Sequence, residues 1–69
     1  MKDYIFNRKL ARIIMQLAET LDITSERALV IFYGTETSRM LHDSRYGLQL
    51  MSDTYIVNDV IAELRAAVD

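Results

Sequence analysis

Phe6, Leu10, Ile13, Ile14, Leu17 and Leu21 recur three and four residues apart, and an α-helix is what brings side chains at that spacing onto one line. This stripe commits the chain from about residue 3 to residue 21 to an amphipathic helix. Arg8, Lys9, Arg12, Gln16 and Glu19 occupy its opposite side. A second, weaker stripe of Tyr4, Ala11, Met15 and Ala18 flanks the first, which widens the apolar arc beyond what one neighbouring helix covers. The rest of the chain must pack on this helix without covalent help. The 69 residues contain no cysteine, so disulfide staples, thiolate nucleophiles and zinc–sulfur sites are excluded. Chains of this size bury only about 60% of their unfolded surface. They hold together through well-packed helices or by sharing an apolar face with a second copy.

Asp22 ends the first helix. Ile23 and Thr24 then read as a staple residue and an N-cap, with Glu26 complementing the positive helix end. A second helix is expected over Ser25–Tyr33. Its segment Ala28–Tyr33 is six consecutive apolar residues, which places it centrally in the domain or partly under another chain. A buried strand is the competing assignment, because Val30, Ile31, Phe32 and Tyr33 favour extended structure. The cap and the Arg27-Ala28-Leu29 lead-in decide for helix. Gly34 is expected to provide a left-handed cap, and Thr35 to cap a short helix Glu36–His42 with Met40 and Leu41 inward. Asp43 to Gly47 forms a turn in which Gly47 takes a positive φ. Leu48-Gln49-Leu50 alternates and is read as a short extended link. Ser52 caps a final helix whose stripe is Ile56, Val57, Val60, Ile61, Leu64 and Val68. The expected fold is a single all-α domain over residues 1–69, a small bundle of three to four helices.

With 51% apolar and 26% charged residues, the chain suits an ordinary globular fold rather than disorder. The longest apolar run falls far short of the roughly 20 residues that cross a bilayer. Residues Met1 to Lys9 lack the apolar core and cleavage site of a secretory signal, so a cytoplasmic location is expected. Charge is unevenly placed. Lys2, Arg8, Lys9 and Arg12 against Asp3 give residues 1–12 a net of +3, and Asp53, Asp59, Glu63 and Asp69 against Arg65 give residues 52–69 a net of −3. Attraction between those two helices, within the chain or head to tail between copies, is the simplest account.

Chemistry-bearing patterns are sparse. His42-Asp43-Ser44 contains the residue types of a hydrolase triad, but adjacent side chains point apart, whereas a triad converges in space. His42 reads instead as a helix-end histidine near the last carbonyls. One imidazole with scattered carboxylates does not match the ligand spacings of zinc. Asp59 and Glu63 lie four apart on the polar face of the last helix and are expected to be exposed and mildly repelling, not an acid–base pair. Gly34 and Gly47 are too far apart for a phosphate loop. No catalytic residue, metal or cofactor is expected.

Two binding readings compete. The stretch around Gly34 allows a helix-turn-helix, with Arg39 addressing a guanine and Thr37 and Ser38 touching phosphates, aided by Arg8 and Arg12. Against it, Glu36 would face phosphate and the sequence pI is about 5.2, where phosphate binding needs positive charge. Nucleic acid is therefore the alternative and not the expected partner. Four tyrosines, Tyr4, Tyr33, Tyr46 and Tyr55, favour a protein interface, since tyrosine joins large apolar area to a polar tip. Half-buried tyrosine at the rim of the core is the plainer account. The contact surface is expected to involve Tyr4, Met15, Tyr33, Arg39, Tyr46 and Tyr55, in a non-catalytic module that binds a protein partner or a second copy of itself.

The order of residues from Thr24 onward resembles a family of short, uncharacterised bacterial helical proteins classed as a domain of unknown function. The matching pieces are Glu26-Arg27-Ala28-Leu29, Phe32-Tyr33, Glu36-Thr37, Leu41 with Asp43, Gly47-Leu48, and Ser52 with Tyr55-Ile56-Val57. They run over about residues 24–64 and are mostly capping and core positions. Tyr46 departs from the pattern, which has a small polar residue before Gly47. The resemblance implies a helical, cytosolic bacterial protein without assigned catalysis, and an antitoxin-like role beside a partner protein.

Overall fold

The stripe that opens the chain is the floor of the core. Leu10, Ile13 and Leu17 are buried, and Phe6, Ile14 and Leu21 pack against them. A computed structural model describes residues 2–68, with side chains from Tyr4 to Val68. The elements in order are α1 (Lys2–Leu21), α2 (Ser25–Tyr33), α3 (Glu36–Leu41), two 3-10 turns at Ser44–Tyr46 and Leu48–Leu50, and α4 (Asp53–Val68). The fold is all-α, as the periodicity predicts. α1 lies between α2 and α4, while α3 packs on α4 and also touches α2. Ala28 and Phe32 from α2, Leu41 from α3, Leu48, and Ile56, Val57 and Val60 from α4 complete the core.

The helix ends follow from capping chemistry. Asp22 has φ 56°, Ile23 N–H donates to the Ala18 carbonyl at 3.0 Å and Asp22 N–H to that of Glu19 at 3.3 Å. This is a Schellman stop with aspartate where glycine is usual. Thr24 Oγ1 then accepts from Arg27 N–H at 3.2 Å, Thr35 Oγ1 from Ser38 N–H at 3.1 Å, and Ser52 Oγ from Tyr55 N–H at 3.1 Å. Asp43 Oδ1 accepts from Arg45 N–H at 3.1 Å and starts the first 3-10 turn.

Three expectations need correction. Gly34 is not left-handed: it sits at φ −87°, ψ −2°, because Gly34 N–H and Thr35 N–H close tight turns onto Ile31 and Phe32. Leu48–Leu50 is not extended but a 3-10 turn, closed by Leu50 N–H to Gly47 and Met51 N–H to Leu48. The third helix stops at Leu41, with His42 as its C-cap. α2 buries Ala28 and Phe32 and leaves Leu29, Val30 and Tyr33 facing outward, with Val30 74% exposed. Val68, at the end of the α4 stripe, is exposed as well.

The two glycines should therefore respond in opposite directions to alanine. At Gly47, φ is +72° and no atom lies within 4 Å of an added Cβ, so Gly47→Ala carries backbone strain alone and should cost about 1 kcal/mol. At Gly34 the added Cβ meets nothing closer than the Ile31 carbonyl at 3.5 Å. Gly34→Ala should gain about 0.4–1 kcal/mol by restricting the unfolded chain. Urea midpoints of the two variants check this, and equal losses at both positions would contradict the assigned backbone geometry.

Candidate interaction surface

Opposite charges on α1 and α4 meet within the chain. Lys9 Nζ donates to Asp53 Oδ1 and to the Met51 carbonyl, both at 2.8 Å. Arg12 Nε donates to Asp53 Oδ2 at 2.8 Å, and Gln16 Nε2 to Thr54 Oγ1 at 3.0 Å. These contacts mark one flank of α1 as the side that faces the start of α4. They also hold the Asp53 carboxyl below its usual range, first through the Lys9 bond and then through Arg12, against the opposing effect of desolvation. The exposed Arg12 half of this clasp is worth under about 1 kcal/mol. Lys2, Asp3 and Asp69, counted in the charge asymmetry, have side chains outside the described residues.

Glu63 overturns the reading of a repelling surface pair. Its carboxylate accepts from Glu36 N–H at 2.6 Å, Thr37 N–H at 2.9 Å and Thr37 Oγ1 at 2.9 Å. With Thr35 Oγ1 on Ser38 N–H, these bonds satisfy the amides that open α3 and have no intrahelical carbonyl. Desolvation pushes the Glu63 carboxyl up, but the bonds from Glu36 and Thr37 outweigh it and the net shift is downward. Glu63 is a structural tie from α4 to α3.

His42 stands where the sequence places it. Its Nδ1 lies 2.7 Å from the Ser38 carbonyl, and the ring packs against Phe6 (centroids 5.3 Å apart) and Tyr33 (5.7 Å). Neither Asp43 nor Ser44 is turned toward it by any hydrogen bond among the described residues. Sequence reasoning did not anticipate that His42 bridges the aromatic side chains of α1 and α2.

The six proposed contact residues all lie at the surface, spread over α1, α2, α3, the first 3-10 turn and α4. Arg39 and Tyr46 are brought together, the guanidinium 6.0 Å from the ring centroid. Arg39 is also salt-bridged to Glu36 on its own helix, and that bond first, with Tyr46 second, raises its already high pKa. Tyr4 pairs with Arg8, whose guanidinium is 5.6 Å from its ring centroid. Met15 is 59%, Tyr33 53% and Tyr55 48% exposed, on three different helices. Ile5, Leu50 and Met51 are exposed too, and no periodic signal in the sequence marks them. Ile5, Phe6, Lys9 and Gln49 line a shallow apolar hollow of about 340 Å³, beside which Gln49 Oε1 is buried with no hydrogen-bond partner among the described residues.

No family model, curated protein or solved structure matches the chain. No helix among the described residues is long and apolar enough to cross a membrane.

Proposed function

We propose that this protein is a small interaction module without catalysis of its own, working through contact with another protein and associating with a second copy of itself. The observation that carries the reading is the outward position of Met15, Tyr33 and Tyr55, joined by Ile5, Val30 and Leu50. Single exposed apolar side chains are ordinary on any protein. Among the described residues, though, eleven large apolar side chains are exposed on a 69-residue chain, and such surface is what partners cover. The polar groups meanwhile are engaged in holding the fold: Asp53 by Lys9 and Arg12, Glu63 by α3, His42 by the Ser38 carbonyl. The family resemblance adds a bacterial, cytoplasmic and antitoxin-like setting to this reading.

The nucleic-acid alternative has a weak electrostatic basis. Arg39 is the single cation of α3 and Glu36 offsets it, while Arg12 is tied to Asp53. Phosphate contacts supply most of the affinity for DNA, so little is left here to provide it. Sedimentation at micromolar concentration tests the proposal, with a species of twice the 8.0 kDa chain mass expected. A clean monomer with a cooperative melt would end it.

A further inference from the structure

On its solvent side α1 carries a second line of residues, where Tyr4, Ala11 and Met15 of the stripe expected to flank the core are exposed and Ala18 alone of that stripe is buried. Tyr4, Arg8, Ala11, Met15 and Glu19 follow one another at spacings of 4, 3, 4 and 4, and every one of them is exposed. Their mean spacing is close to the helical period, so they form a seam along its solvent side. The seam is graded: basic at Arg8, apolar in the middle at Ala11 and Met15, acidic at Glu19. Neither Arg8 nor Glu19 has a salt-bridge partner among the described residues, whereas the cations on the α4 flank, Lys9 and Arg12, are both taken by Asp53.

A surface of this kind is complementary to itself turned end for end. We infer that the solvent seam of α1 pairs antiparallel with the same seam of a second copy about a two-fold axis. This rests on the self-association proposed above and adds its surface and register. In that register Arg8 meets Glu19 of the second copy and Ala11 meets Met15. The Arg8–Glu19 pair is centred between Ile13 and Ile14 and the Ala11–Met15 pair at Ile13, within about 1 Å along the helix, so one axis near Ile13 and Ile14 serves both, each pair occurring twice. At 1.5 Å per residue the two Arg8–Glu19 pairs stand about 8 Å either side of the axis. The small Ala11 gives the long Met15 side chain a place to seat, which lets the helices approach to about 8–10 Å. Antiparallel helix dipoles add to the attraction. A parallel pairing would set Arg8 on Arg8 and Glu19 on Glu19.

Charge exchange reads out both surface and register. Arg8→Glu alone, or Glu19→Arg alone, turns two attractive pairs into two repulsive ones. Each should weaken dimerisation by about tenfold or more in sedimentation equilibrium at low salt. The combined variant restores opposite charges and should return to within about threefold of the parent. Raising the salt should loosen the parent dimer and narrow the differences. All three changes are at exposed positions, and helical circular dichroism verifies that each variant is folded. A parent chain that stays monomeric defeats self-association and this inference together. A dimer that ignores both single changes but is broken by Val30→Glu on α2 keeps self-association and overturns the α1 seam. Single changes that weaken the dimer without rescue in the combined variant overturn the antiparallel register.

Discussion

Replacing Phe32 with alanine abolishes the cooperative fold. Phe32 is fully buried and is the largest side chain of a buried cluster whose other members are aliphatic. Phe→Ala in such a site costs about 3–5 kcal/mol, the sum of lost transfer free energy and a cavity that neighbours fill only in part. A domain of this length has about 3–10 kcal/mol in total, and no disulfide limits the unfolded ensemble. Removing this side chain therefore takes most or all of the stability. Urea titration followed by circular dichroism should show a broad, early transition for Phe32→Ala. Tyr33→Ala, one position along the same helix but half exposed, should stay within about 1 kcal/mol of the parent. A sharp transition for Phe32→Ala with a comparably small loss would mean that α2 is not anchored in the core.

The contrast between those adjacent residues shows what a single sequence can and cannot express. α1 was legible because its apolar spacing is local and has one geometric solution. The Thr24, Thr35 and Ser52 caps were legible for a similar reason, since a hydroxyl three residues before a free amide acts within its own turn. Gly34 was misread because glycine permits positive φ without requiring it. Asp22 takes that conformation instead, and only Gly47 among the glycines uses it. Leu48-Gln49-Leu50 was misread because three residues are too few to separate a period of two from a period of three. Tyr4, Tyr33, Tyr46 and Tyr55 stand out by the chemistry of tyrosine and Met15 by a second apolar stripe, and all of them lie at the surface. How they group was not legible, because it depends on how α1, α2 and α4 are placed side by side. Charge asymmetry announced the Lys9–Asp53 clasp, but nothing local announces that Glu63 reaches an amide 27 residues away.

That long-range tie makes stability depend on pH. The Glu63 and Asp53 carboxyls both ionise more readily in the folded chain than their ordinary values allow. Between the depressed folded value and the ordinary carboxylate value near 4, the unfolded chain binds protons that the folded chain does not. Stability therefore rises with pH through that window, is fully present above it, and is lost as acid protonates the folded carboxylates. Glu63→Gln should cost about 1–2 kcal/mol at pH 7, because a charged acceptor shared among two amides and a hydroxyl becomes a neutral one. As the pH falls through the depressed folded value the parent's own Glu63 becomes neutral, so the gap between parent and variant should shrink. Asp53→Asn should behave in the same sense, with a smaller gap at neutral pH, since one of its two cations is exposed and already screened by water. Urea unfolding of the parent and both variants at neutral and acidic pH measures these differences. A gap for Glu63→Gln that is equal at both pH values would show that the shape of the side chain, and not its charge, holds α3 to α4.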